Sequence, residues 1–135
     1  VLPSIEELAE ALAKKEHVKI KPSGQYALNK VGLSTQVPMR LVFLTTGNSK
    51  RIQIGKNAII FKSTTAKKLS MKGDITSLLF LGLEELDLQK ISPTQMDRIM
   101  ELLKQESPEN LKYNLRLAPS KVSDFVVKNL LNPAR

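Results

Sequence analysis

Apolar side chains follow one period in the first half of this chain and another in the second half. Residues 40–46 include four consecutive apolar residues, which predicts a strand buried on both faces. Residues 51–54 alternate between polar and apolar, which predicts a strand with one face towards solvent. A third strand is predicted over residues 58–63. The short turns between these strands favour an antiparallel meander over Arg40–Ser63.

Two helices are predicted ahead of this meander. Ser4 is followed three residues later by a glutamate, so the pair forms a capping box before the amphipathic segment Ile5–Lys15. A second helix of two turns covers residues 25–31, and Gly32 suits the left-handed position that ends it. A short strand over residues 18–21 is predicted between the two helices.

The chain after Asp74 has helical periodicity throughout. Its first helix is apolar on nearly every side, which predicts a buried core helix in which Gly82 permits a close crossing. Ser92, Ser107 and Ser120 lie at the starts of three further helices. Together these patterns predict an α+β fold with a three-stranded antiparallel meander, N-terminal helices and an all-helical C-terminal half.

Composition limits the class of protein further. A chain of 135 residues that is 41% hydrophobic and 25% charged suits a single globular domain over residues 1–135. Because the chain begins with valine, we expect it to be a fragment of a longer protein. The sequence has no cysteine, which suits a reducing compartment and predicts a cytoplasmic protein. No apolar run approaches the roughly 20 residues that a membrane span needs, so no membrane partner is expected.

The net charge of +8 is concentrated in the middle of the chain. Residues 17–73 contain no aspartate or glutamate and 11 lysines and arginines. A surface with this charge favours an anionic partner, and DNA is the partner we predict. The candidate nucleic-acid-binding residues are Arg40, Lys50, Arg51, Lys56, Lys62, Lys67 and Lys68. The alternative is a solvated basic surface that only aids solubility.

Residues suited to catalysis or metal binding are scarce. His17 is the one histidine of the sequence, so no second histidine is present to activate a hydroxyl or complete a metal site. Two close groups of carboxylates are more typical of solvated helix faces or ends: Glu6, Glu7 and Glu10, and Glu84, Glu85 and Asp87. We therefore expect no catalytic residue, no metal, no cofactor and no enzymatic activity.

The block Gly32-Leu33-Ser34-Thr35-Gln36-Val37-Pro38 resembles a block found in the AbiEi-like family of type IV antitoxins. The similarity extends to the strands at Ile52–Gly55 and Ile59–Lys62, and it covers roughly residues 1–85. Members of that family carry a winged helix-turn-helix ahead of this region, which this sequence does not contain. The resemblance therefore implies a C-terminal antitoxin domain that counteracts a nucleotidyltransferase-like toxin in an abortive-infection system, without requiring a stable complex with it.

Two questions remain open at the level of sequence. Ser34, Thr35 and Gln36 are predicted to fix a loop by bonding to backbone groups, or else to face a partner. The function is either that of a non-enzymatic, antitoxin-like regulatory domain or that of a generic nucleic-acid-binding accessory domain of a transcriptional regulator.

Overall fold

A computed structural model describes residues 4–35 and 38–131 of the chain. Within these residues the chain forms, in order, α1 (Ile5–Lys15), β1 (Ile20–Pro22), α2 (Gly24–Lys30), β2 (Arg40–Thr45), β3 (Lys50–Ile54), β4 (Asn57–Ser63), α3 (Ala66–Leu69), α4 (Thr76–Leu83), α5 (Pro93–Gln105), α6 (Pro108–Leu117) and α7 (Ser120–Leu131). The predicted α+β class is confirmed, and the described residues contain seven helices and four strands.

Local sequence signals account for the ends of several helices. The Ser4 hydroxyl accepts a hydrogen bond from the backbone N–H of the glutamate three residues later, at 3.1 Å. Ser92 and Gln95 form a reciprocal capping box at the start of α5. Gly32 has a φ of 80°, and Leu33 donates its backbone N–H to the carbonyl oxygen of Leu28 at 2.9 Å. This arrangement is a Schellman motif, and it confirms the left-handed position predicted for Gly32 at the end of α2.

The sheet corrects the predicted three-stranded antiparallel meander. Its strand order is β1-β2-β4-β3, so β2 and β3 are not neighbours. β1 pairs antiparallel with β2, β2 pairs parallel with β4, and β4 pairs antiparallel with β3. Only the β3–β4 hairpin of the meander is therefore present, and β4 lies between the two strands that precede it in sequence.

The burial of each strand explains this order. On β4, Ala58, Ile59 and Phe61 are all buried, so this strand suits the interior of the sheet. On β3, Arg51 and Gln53 are exposed and alternate with half-buried isoleucines, a pattern that suits an edge strand. A meander would have placed this half-polar strand in the centre.

The prediction that β2 is buried on both faces is confirmed at its C-terminal end. On one face Phe43 is 2% exposed, and its ring lies 5.4 Å from the Tyr26 ring and 5.9 Å from the Phe61 ring. Side chains of α1 pack against this cluster. On the other face, Leu44 packs with Leu69 and Leu81. Helices therefore cover both faces of the sheet at β2.

Helix α4 is buried along almost its whole length, as the sequence predicts. Its residues 79–83 are each buried, and Leu79, Phe80 and Leu83 belong to a core that includes residues of α2, α5 and α7. A Cβ atom at Gly82 would lie 2.9 Å from Leu28 Cδ2 and 3.3 Å from the Leu28 backbone nitrogen. The missing side chain therefore allows α2 and α4 to cross in close contact.

A buried polar network holds the start of α4. Asn114 is fully buried, and its amide donates to Thr76 Oγ1 and to the Lys72 carbonyl oxygen, each at 2.7 Å. Thr76 donates its backbone N–H and its hydroxyl to Glu106 Oε1, at 3.1 and 2.7 Å. A carboxylate at the beginning of a helix also interacts favourably with the helix dipole.

The environment of Glu106 lowers the pKa of its carboxyl group. Burial by itself raises this pKa, because it disfavours the charged form. The hydrogen bonds from Thr76, together with those from Asn110 and the Ser107 backbone, outweigh that effect. The ionised carboxylate is therefore the form that stabilises the fold.

The crossing at Gly82 predicts a large effect of a larger side chain. We expect Gly82→Val to reduce the free energy of unfolding by about 1–3 kcal/mol, because the valine would displace Leu28 in a close-packed core. Urea unfolding measures this change. The matched control is Ala11→Val at an exposed position of α1, where only helix propensity changes, with a cost of at most about 0.7 kcal/mol. Equal losses in the two variants would show that the crossing does not depend on glycine.

The lowered pKa of Glu106 predicts a pH dependence of stability. The stabilisation from the carboxylate should be fully present above its ordinary pKa of 4.5 and be lost as the pH falls through the lower, folded-state pKa. The difference in unfolding free energy between wild type and Glu106→Gln should therefore shrink on acidification. Urea unfolding from about pH 7 to about pH 3 tests this, with the exposed Glu109→Gln as control. A difference that stays constant over this range would contradict the role given to the carboxylate.

Candidate nucleic-acid interface

The two faces of the sheet differ in what covers them. Side chains of α1 cover one face, where Phe43, Ile59 and Phe61 lie. On the other face, Leu69 of α3 and Leu81 of α4 pack on the sheet at Leu44. The rest of this second face, formed by Arg40, Val42, Arg51, Ile60 and Lys62, is called here the open sheet face.

Three of the predicted binding residues project from this open sheet face. Arg40, Arg51 and Lys62 are exposed, and each lies on a different strand. In the register of the sheet, Arg51 is level with Ile60 and Arg40 with Ala58. Strand spacing then puts the Cα atoms of Arg51 and Lys62 about 8 Å apart, and those of Arg40 and Arg51 about 12 Å apart. The three charges surround the half-buried Val42 and Ile60.

A fourth predicted residue lies at the rim of the same surface. Lys56 is exposed in the tight turn between β3 and β4, at the end of the sheet where Arg40 begins β2. Within residues 4–35 and 38–131, none of these four cations forms an ion pair. Arg51 donates only to the neutral side chain of Gln53, at 3.3 Å. The positive charges of the four residues are therefore not neutralised by the fold.

The other three predicted residues do not belong to this group. Lys50 forms an ion pair with Glu16 at the end of α1, and its amine lies 5.8 Å from the centre of the Phe61 ring. Lys68 forms an ion pair with Glu84 at 2.8 Å. Lys67 is exposed but lies on α3, outside the sheet. Glutamates from outside residues 17–73, the segment without acidic residues, thus form ion pairs with two of the cations in that segment.

The loop singled out in the sequence leads from the end of α2 towards this surface. The Asn29 side-chain amide donates to the backbone carbonyl oxygen of Ser34 at 3.4 Å. Thr35 is exposed, and Gln36 lies outside the described residues. The roles predicted for the three side chains of this loop stay predictions.

A groove of about 410 Å³ borders the open sheet face beside the start of α2. Arg40 and Lys62 line it from the sheet, and Met39 is 56% exposed at its rim. Ser23 and Glu85 line it from the helical side. Ser23 is not among the candidate residues predicted from the sequence, although a serine directly before a helix is a recognisable N-cap signal.

A second cavity, of about 440 Å³, is lined by charged groups that bond to one another. Glu6 accepts hydrogen bonds from the Tyr26 hydroxyl and from the Lys30 amine. Lys21 donates to the carbonyl oxygen of Met71 at 2.9 Å. Burial lowers the pKa of the Lys21 amine, and the nearby Asp74 carboxylate only partly opposes this change. These contacts indicate a structural role for the cluster.

The described residues contain neither a metal-binding cluster nor a membrane-spanning helix. No group of three or more histidine, aspartate or glutamate side chains in this part of the chain is arranged to hold a metal ion. None of the helices described here is long and apolar enough to cross a membrane.

The fold and the surface thus define a small α+β domain with a basic face on its sheet. A protein-family model described as a family of unknown function, DUF6088, matches residues 1–111, and the chain belongs to this family. No curated protein sequence and no solved structure matches the chain.

Proposed function

We propose that this domain is a non-enzymatic regulatory domain that binds the phosphate backbone of DNA with its open sheet face. The observation that carries this proposal is a group of four cations on or beside one surface that form no ion pair with the residues the structure describes: Arg40, Arg51, Lys56 and Lys62. Lysine and arginine side chains bind phosphates and release the counterions condensed on the nucleic acid. A surface of this kind gives affinity for nucleic acid in general.

The chemistry of the open sheet face favours phosphate contacts over contacts to bases. Single-strand binders present aromatic rings on which bases stack. Here Phe43 and Phe61 are buried beneath α1 on the opposite face, and the open sheet face presents Val42 and Ile60 between its cations. Binding should therefore be weak, strongly dependent on salt and independent of base sequence.

We further propose that the domain belongs to a type IV toxin–antitoxin system and counteracts a nucleotidyltransferase-like toxin. The resemblance of the block around Ser34 and Thr35 to AbiEi-like antitoxins supports this role. Such a system acts in the cytoplasm, and a cysteine-free sequence suits that compartment. The second candidate is a generic nucleic-acid-binding accessory domain of a transcriptional regulator. The same basic face favours it, and it differs from the first only in having no toxin.

The proposed interface predicts a defined salt dependence. If the four cations each neutralise one phosphate, log affinity for a DNA duplex should fall with log salt concentration with a slope of about −3 to −4. Arg51→Ala and Lys62→Ala should each make this slope shallower by about 0.9, for any base sequence. Fluorescence anisotropy with a labelled duplex at several salt concentrations measures the slope.

The control for this titration is Lys104→Ala, which removes an exposed cation from α5 in the helical half. It should leave the slope unchanged, because it lies outside the sheet. An equal effect of Lys104→Ala and Lys62→Ala would contradict a localised interface. If no saturable binding occurs at low salt with up to about 10⁻⁴ M protein, the proposed interface is wrong and the basic surface only aids solubility.

The toxin-related role predicts rescue of growth. Expression of the protein together with a nucleotidyltransferase-like toxin from a neighbouring gene should restore the growth that the toxin alone prevents. Failure of rescue by a protein that still binds duplex DNA would favour the generic accessory domain. Alanine substitution of Ser34, Thr35 and Gln36 adds a test of the loop. Lost rescue with unchanged thermal stability indicates a partner-facing loop, and a stability loss of several kcal/mol indicates a structural one.

A further inference from the structure

The groove beside the open sheet face has a polar group that the fold does not use. Ser23 is only 8% exposed, and its hydroxyl forms no hydrogen bond within residues 4–35 and 38–131. Its backbone N–H donates to the carbonyl oxygen of Val42 at 2.9 Å, which fixes the residue against β2. No buried side-chain polar atom of the described residues lacks a hydrogen-bond partner, so the unbonded Ser23 hydroxyl is accessible from the groove that the residue lines. The hydroxyl is therefore available to a ligand there.

Two cations line the same groove as this hydroxyl. Arg40 and Lys62 line it from β2 and β4, and neither forms an ion pair within the described residues. Lys62 and Ser23 also line an adjoining cavity of about 230 Å³, which extends the space towards Lys68. A guanidinium, an ammonium and a hydroxyl donor that line one groove are groups that bind a phosphate in proteins.

The rest of the groove lining includes one carboxylate and several apolar side chains. Glu85, an exposed carboxylate, lies on the helical side close to Gly24. An ionised carboxylate accepts hydrogen bonds from hydroxyl groups, including those of a ribose. Pro38, Met39 and Val42 supply an apolar wall. The thioether of an exposed methionine makes favourable contacts with aromatic rings, and a base is such a ring.

We propose that this groove binds a single ribonucleotide. Its phosphate contacts Ser23, Arg40 and Lys62, its ribose hydroxyls contact Glu85, and its base covers Met39. The groove volume of about 410 Å³ lies within the range of small-molecule sites, about 300–1,000 Å³. The site shares Arg40 and Lys62 with the open sheet face, but it depends on Ser23 and Glu85, which duplex binding does not use.

NMR titration of the isotope-labelled protein with AMP tests this proposal, because amide shifts report both affinity and location. AMP should shift the amides of Ser23, Gly24 and Lys62 and bind at least tenfold more tightly than adenosine or inorganic phosphate. A 2′,3′-dideoxy form of AMP should bind several-fold more weakly than AMP. If adenosine binds as tightly as AMP, or if AMP shifts no amide of the groove, the proposal is wrong.

Variants separate the parts of the site. Ser23→Ala should weaken AMP binding several-fold without loss of thermal stability, since the hydroxyl forms no hydrogen bond with the described part of the chain. Glu85→Gln should abolish the preference for AMP over its dideoxy form. A preference that persists in Glu85→Gln would overturn the ribose contact, and unchanged affinity in Ser23→Ala would overturn the phosphate site.

The matched control distinguishes this site from the duplex interface. Arg51→Ala removes a cation of the open sheet face that does not line the groove, so it should make the salt slope for duplex DNA shallower and leave AMP binding unchanged. Ser23→Ala should have the reverse effect. Failure of the nucleotide proposal alone would leave the duplex slope and its dependence on Arg51 intact. Equal loss of AMP binding in Arg51→Ala and Ser23→Ala would show a diffuse attraction by charge and contradict a built site.

Discussion

The rest of the structure depends on the burial of α4. A helix that is apolar on every side must be surrounded, because any exposed face would leave hydrocarbon in water. In this protein α2 crosses it at Gly82, α5 and α7 pack with it in the main core, and Leu81 contacts Leu44 of the sheet. The helical half and the sheet therefore share one buried element. The polar network of Asn114 and Glu106 fixes where that element begins.

The position of α4 also determines which part of the sheet remains uncovered. Helices α3 and α4 contact the sheet at Leu44, while α1 covers the opposite face. What remains is the area around Val42 and Ile60. The uncompensated cations lie in and beside this area, and the groove with Ser23 lies at the boundary between it and the helices. The candidate sites are thus consequences of how the two layers pack.

Local features of the fold could be predicted from the sequence, and long-range features could not. Ser92 and Gly32 mark the ends of helices because their hydrogen bonds join residues only a few positions apart. The helix ends can therefore be predicted from the local sequence. The position of β4 between β2 and β3 brings together residues such as Phe43 and Phe61, which lie far apart in sequence. Short connections suggest pairing of consecutive strands, and that suggestion was wrong for β2 and β3.

The same distinction applies to the candidate site. The lack of acidic residues in residues 17–73 can be read directly from the sequence. The ion pairs that this segment forms with Glu16 and Glu84 cannot, because they join residues 34 and 16 positions apart and no local pattern indicates them. The unused hydroxyl of Ser23 is likewise a property of packing.

The central claim is that the open sheet face is the surface that contacts nucleic acid. Its most direct test is to map the amide and side-chain NMR signals that change when a short DNA duplex is added at low salt. The account predicts that the affected signals belong to Arg40, Arg51, Lys56 and Lys62 and their neighbours on β2, β3 and β4. Changes confined to α5–α7, or to the face that α1 covers, would contradict it.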